Sequence, residues 1–220
     1  MRFLPVIVLA ASVVVDASFQ QRGAQPPQTP PAAPTAPGQR GGGGGRGGGG
    51  GGRGGIVSMT LTSTAWADGG LIPAKHAQTG DEVSPPFAWS NVPDGVLSFV
   101  LIAHDIDAPI AGGADDLLHW MLWNVPAATR TLAEGQPRTS PLADGTLQIS
   151  ATGPAYRGPG ALAGGPAHHY LFELYALDVD RINVAAVGQS PPQTRAAVVA
   201  AMAGHIRGKA VYVGLFKRPQ

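Results

Sequence analysis

Three long, mostly apolar runs, Leu97–Asp105, Leu117–Val125 and Tyr170–Leu177, limit what this chain can fold into. Each has the length of a strand and lacks the alternation of a half-solvated one. Each therefore needs cover on both faces, which calls for a sheet held between other layers. Ionisable side chains sit in or beside every run. His104-Asp105-Ile106-Asp107 ends the first, His119 lies inside the second, and His168-His169 precedes the third. A polar group placed in such surroundings without a partner costs roughly 2–7 kcal/mol. The cluster is thus either a hydrogen-bond network bracing strand ends or a binding site.

The remaining pattern is that of a β protein. Ile56–Ala65 alternates as a strand, Phe87–Ser90 follows a Pro-Pro pair as a short one, and Leu147–Ile149 and Ala210–Phe216 add two more. Trp66–Thr79 reads as loop with a short strand near Leu71-Ile72, and Pro93-Asp94-Gly95 is a turn. One helix is expected, Pro191–Arg207, with Ser190 as N-cap, Pro191 at the first helical position and Ala196, Val199, Ala200, Ala203 and Ile206 inward. The expected fold is mostly β: an antiparallel, Greek-key-type β-sandwich with a small helical addition near the C-terminus.

Composition divides the chain. Of 32 Gly, most of those before Ile56 fall in the run Gly41–Gly55, and a Pro-, Ala- and Gln-rich stretch precedes it. Neither stretch offers apolar surface to offset ordering entropy, so residues 18–55 read as a disordered tether. Ahead of it, Met1-Arg2 and the apolar run Phe3–Val15 match a secretory signal peptide over residues 1–17. The run is short for a membrane span of about 20 residues, and an uncleaved anchor stays open. The expected location is exported: periplasmic or secreted, with a membrane tether as the variant.

Residues 56–220 then form one domain, slightly acidic because five of the arginines lie in the N-terminal stretch. That balance gives no argument for nucleic-acid binding. With no cysteine, the domain forgoes disulfides and relies on its core.

Five ordered blocks carry a resemblance. Ser84–Pro93 is similar to a "PxLxWxxxP" opening, and Asp105-Ile106-Asp107-Ala108-Pro109 to a "DPDAP" signature with Ile for the first Pro. His119-Trp120 with Asn124-Val125-Pro126 is similar to "HWxxxNIP", and Gly158-Pro159 with His168–Asp178 to "GP…HRYxFxLYALD". Thr194–Ile206 is similar to the bacterial terminal helix. Together they resemble the phosphatidylethanolamine-binding proteins, which include the Raf kinase inhibitor proteins, and their bacterial branch in particular.

The resemblance implies a non-catalytic binding protein with an anion pocket at one end of the sandwich, on Asp105, Asp107, Pro109, His119, His168 and Tyr170. Gly158 and Pro159 would form part of its rim. The expected ligand is a phosphate-like or phospholipid head group, and regulation of a partner protein in the cell envelope is a further expectation. Two departures bear on ligand preference: the usual "GPxPP" rim reads Gly158-Pro159-Gly160-Ala161-Leu162, and the usual Arg of "HRY" is His169.

The residues allow the same reading. His119 and His168 can supply N–H groups and Tyr170 an O–H, and imidazoles beside Asp105 or Asp107 are expected to have raised pKa values. Structural bracing stays open for Asp105, Asp107 and Tyr170. By strand alternation His169 faces away from His168 and Tyr170. Asp115-Asp116 reads as a solvated turn, His76 and His205 as surface or helix-face residues with no partner signal, and the tryptophans as core, with Trp89 the candidate exception near the pocket. No cofactor is implied. Metal ligation finds no His-x-x-x-His or cysteine spacing, so a metal-dependent hydrolase is the weaker alternative beside an inhibitor of a hydrolase or kinase acting through surface loops. A homodimer is left open.

Overall fold

The computed structural model describes residues 55–220. The expected export segment and tether lie outside the described residues, apart from Gly55. Three long strands carry the fold: β5 (Ser98–Ile110), β6 (Asp115–Pro126) and β9 (His168–Leu177). With β1 (Val57–Ser58), β8 (Leu147–Ile149) and β10 (Ile206–Phe216) they form a sheet ordered β1-β10-β9-β5-β6-β8, and β3 (Gly70–Leu71) also pairs with β10. A smaller sheet, β2-β4-β7, comprises Thr60–Thr62, Phe87–Ser90 and Thr131–Leu132. The long strands pair antiparallel, and the short β1 and β3 run parallel to β10.

The first two apolar runs are covered on both faces, as their composition demands, whereas Tyr170–Leu177 alternates, with Leu171, Glu173 and Tyr175 half-buried on its outer side. Phe99, Leu101 and Ala103 of β5 point into a core shared with the smaller sheet, where Phe87 and Phe172 stack 5.0 Å apart. Val100 and Ile102 point the other way, against Ile182 and the helix residues Val198 and Met202. All four tryptophans are core. Trp89 packs on Phe99 at 5.3 Å rather than facing a pocket.

Several local expectations need correction. The strand expected over Ile56–Ala65 divides at Met59: β1 joins the large sheet through β10 and β2 joins the small one through β4. Helix α1 spans Pro191–Met202, then Gly204 at φ 83° turns the chain and Ile206 opens β10. Its buried face is Thr194, Val198 and Met202, while Val199 is 47% exposed. Alanine on several sides of the helix makes its faces nearly equivalent in sequence, so docking against Val100 and Ile102 selects one. Asp115 and Asp116 open β6 and hold Arg195 of α1, instead of making a solvated turn. His76 is buried with Nδ1 2.7 Å from the Val83 carbonyl, while His205 is at the surface as expected and pairs there with Asp178 at 2.9 Å.

β6 carries two irregularities that shape the end of the sandwich. Phe99 faces Val125 but Leu101 faces Leu122, which accommodates Asn124 at φ 59°, a left-handed conformation that Asn tolerates. The Asn124 amide then pairs with both backbone groups of Ile182, its Oδ1 accepting at 2.7 Å and its Nδ2 donating at 3.2 Å. Further along, Ala103 faces Trp120 but His104 faces Leu118, so His119 is the extra residue of a β-bulge.

Candidate functional site

That bulge decides the site. In an unbroken strand His119 and Trp120 would face opposite ways. Here the imidazole turns to the inner face and stacks edge-on against Tyr170, ring centroids 5.0 Å apart. Tyr170 lies directly opposite Asp105 in the β5–β9 register, and His168 sits two residues before Tyr170 on the same face. Three strands thereby bring Asp105, His119, His168 and Tyr170 to one cavity of about 550 Å³.

Four other expected site residues stand outside the cavity lining. Asp107 belongs to the segment Ile106–Ala108 that leaves the β5–β6 ladder, and its carboxylate accepts from the His169 backbone N–H at 2.7 Å and pairs with the His169 ring at 2.8 Å. His169 does face away from the cavity, and Asp107 follows it. Pro109 re-enters the ladder opposite Asp116. Gly158 and Pro159 brace the rim from behind. A Cβ on Gly158 would meet the His76 carbonyl at 2.5 Å, and the Pro159 carbonyl accepts from Gln78 N–H.

The next stretch of loop makes the rim instead: Gly160, Ala161, Leu162, Gly164 and Gly165, with Ala108 and Leu117 across from them. Arg157 and Gln78 complete the wall, and neither was legible as a site residue. The one available signal for Arg157 was its place immediately before the Gly158-Pro159 block.

Hydrogen bonds fix each polar group. Asp105 is 3% exposed; its carboxylate accepts from His168 Nδ1 at 2.9 Å and from the Asp107 backbone N–H at 3.0 Å. The Tyr170 hydroxyl accepts the Gly160 and Ala161 N–H groups, each at 3.2 Å. Both donors sit where the family pattern places a rim proline or its neighbour. Burial first, then the Asp105 charge, raises the Tyr170 pKa, so the phenol keeps its proton. Arg157 grips His119 twice: its N–H donates to the His119 carbonyl at 2.9 Å, and its own carbonyl accepts from His119 Nδ1 at 3.0 Å. A carbonyl only accepts, so Nδ1 carries the proton and Nε2 a lone pair. That Nε2 is buried with no protein partner. The Arg157 guanidinium donates to Gln78 Oε1 at 3.2 Å, and Gln78 is itself fixed by donating to the Gly158 carbonyl at 2.8 Å.

The expectation of raised imidazole pKa values fails at His119. Burial lowers its pKa below the ordinary 6.5, outweighing the Arg157 carbonyl and the Asp105 field. Desolvation penalises the imidazolium more than one carboxylate, already committed elsewhere, can compensate.

Comparison with known proteins settles the family. The phosphatidylethanolamine-binding protein family model matches residues 62–217. The chain belongs to this family. It is 35% identical over 162 residues to a UPF0098 protein of Methanothermobacter thermautotrophicus, covering 73% of this chain and 99% of that one. LppC of Mycobacterium tuberculosis, named as a candidate lipoprotein, is 32% identical over 159 residues, covering 72% of each chain. Among solved structures, a Chlamydia trachomatis homologue of phosphatidylethanolamine-binding protein superposes with a TM-score of 0.59 at 29% identity, covering 74% of this chain and 99% of that one. Membership supports a binding protein, and the sandwich is the family's fold. Among the described residues no helix is long and apolar enough to cross a membrane, and no three His, Asp or Glu side chains gather as a metal site.

Proposed function

We propose that this chain is an exported, non-catalytic binding protein whose cavity takes a small phosphate-like anion or the phosphate head group of a lipid. The observation that carries the reading is the gathering of Arg157, His119 and His168 on the lining of one cavity of about 550 Å³. An anion entering beside Asp105 needs donors to offset that carboxylate, and Arg157 supplies a permanent charge and up to five N–H groups. On the rim Leu162 is 69% exposed, which suits a ligand with an apolar body beyond its charged end. Export rests on the apolar N-terminal run, and the name of LppC agrees with an envelope location. Residues 18–55 would then act as a tether.

Calorimetric titration with phosphoethanolamine at pH 5.5 and pH 8 tests the reading. Binding is expected to be tighter at pH 5.5. Burial favours the neutral His119 ring, so a fully ionised anion gains a donor there only when the ring takes up a proton, which falling pH favours. The phosphomonoester also gains a proton over this range, its second pKa being about 6. Absence of binding at both pH values rejects the anion site, and equal or tighter binding at pH 8 rejects the role given to the histidine.

A further inference from the structure

The His119 Nε2 lone pair is the unmatched feature of this cavity. The ring is 2% exposed, its other nitrogen is committed to the Arg157 carbonyl, and Nε2 has no partner in the protein. The neighbouring groups leave it so. The Tyr170 hydroxyl is occupied by two backbone donors, Gly160 and Ala161 N–H. His168 Nδ1 is bound to Asp105, and the Arg157 guanidinium to Gln78. An unpartnered acceptor on a residue that lines a cavity selects for whatever brings a donor, because a ligand without one leaves it unpaired.

We propose that His119 and Arg157 together read the protonation state of the ligand: the site selects an oxyanion that carries its own hydroxyl proton, such as hydrogen phosphate, over an isosteric anion that has none, such as sulfate. The inference rests on the anion-site reading above. In the bound state one P–OH donates to His119 Nε2 while the other oxygens accept from Arg157, and no proton has to be taken from solvent. Sulfate can fill the same space only if His119 is first protonated at Nε2. That costs affinity because burial against Tyr170 and the rim holds the ring neutral; Asp105 and the Arg157 and Gly158 carbonyls oppose this, and the Arg157 charge adds to it. The reciprocal clasp between the Arg157 backbone and His119 fixes which ring nitrogen carries the proton, while the Arg157 side chain supplies charge for either anion.

The test is calorimetry on the full chain with inorganic phosphate and with sulfate at pH 8 and pH 5.5. Inorganic phosphate keeps a P–OH at both values. Phosphate is expected to bind about 10- to 100-fold tighter than sulfate at pH 8, the factor for one unsatisfied buried acceptor, with the gap narrowing at pH 5.5 as His119 takes up a proton for sulfate. His119→Gln, whose amide can either donate or accept, is expected to abolish the preference, whereas Arg157→Gln weakens both anions and leaves phosphate ahead. Equal affinities at pH 8 in the native chain overturn the lone-pair inference while the anion site stands. Binding of neither anion at either pH overturns both.

Discussion

The two faces of β5 put the same chemistry to opposite uses. On the outer face His104 is closed in. Its Nδ1 is 2.7 Å from Asp116 Oδ2, and its Nε2 stands 3.3 Å from Glu173 Oε2 as an ion pair without a well-aligned hydrogen bond. Arg195 from α1 and Lys209 from β10 complete the cluster, bonding Asp116 at 2.5 Å and Glu173 at 2.7 Å. On the inner face the next residue, Asp105, anchors His168 beside His119, and the cavity keeps a nitrogen free. The outer imidazole is surrounded by two carboxylates and its pKa is raised despite burial. The inner one has a single, shared carboxylate nearby, and its pKa is lowered. Both rings are buried, and the two carboxylates beside His104, against one shared carboxylate near His119, set the opposite directions of their pKa values.

The largest expected effect tests the outer cluster. Asp116→Ala leaves Arg195 and His104 without their shared partner in a poorly solvated place. It should cost about 2–4 kcal/mol by urea unfolding, discounted from a fully buried pair because Asp116 keeps partial solvent access. Phosphate affinity should be unchanged. A large loss of affinity would mean that the two faces are coupled and the comparison is wrong.

Next in size is the pH dependence of stability, which the outer cluster should dominate. The Glu173 pKa is held down to about 2 by His104, Lys209 and Tyr175. Its contribution, about 2–3 kcal/mol, is complete above the unfolded value of 4.5 and is lost as pH falls from there toward 2. The Asp116 pKa is also lowered, by Arg195 and His104 against the opposing effect of burial, and acts in the same window. His104 works in reverse: its raised pKa gives stability that is complete below 6.5 and lost as pH rises through the folded-state value. Thermal melts across pH 3–9 should therefore peak between about 4.5 and 6.5. A curve flat from pH 5 to 9 would remove His104 from the account.

Tyr170→Phe sharpens the inner side. It removes the acceptor for the Gly160 and Ala161 N–H groups, at a cost of about 1–2 kcal/mol. Faster amide exchange should be confined to the rim, with weaker phosphate binding. Unchanged exchange at both amides would show that the rim holds itself. The smallest effect belongs to the exposed Asp107–His169 pair, which faces away from the cavity: His169→Ala should change stability by less than about 1 kcal/mol, since both partners are well solvated.

Much of this was legible in residue patterns. β8 spans Leu147–Ile149 as expected and β4 spans Phe87–Ser90, because Pro pairs and turn residues bound them. The continuous apolar runs announced burial on both faces of β5 and β6, and the spacing of His168 and Tyr170 put them on one side of β9. Two-residue alternation, however, holds only in an unbroken ladder. The bulge at His119 is set by pairing with β5, far away in sequence, so the inward turn of that ring could not be read from its neighbours.

Chain chemistry alone thus determined a twice-covered sheet with acids and imidazoles at the ends of its central strands, since hydrophobic run length and strand periodicity are local. Tertiary structure decided which of those groups are spent and which remain open: Asp107 on His169, His104 on Asp116 and Glu173, His119 with one nitrogen left over, and Arg157 brought to the wall by a loop. The reason is that hydrogen-bond commitment depends on backbone carbonyls and carboxylates delivered from remote segments, and no local pattern records where they arrive.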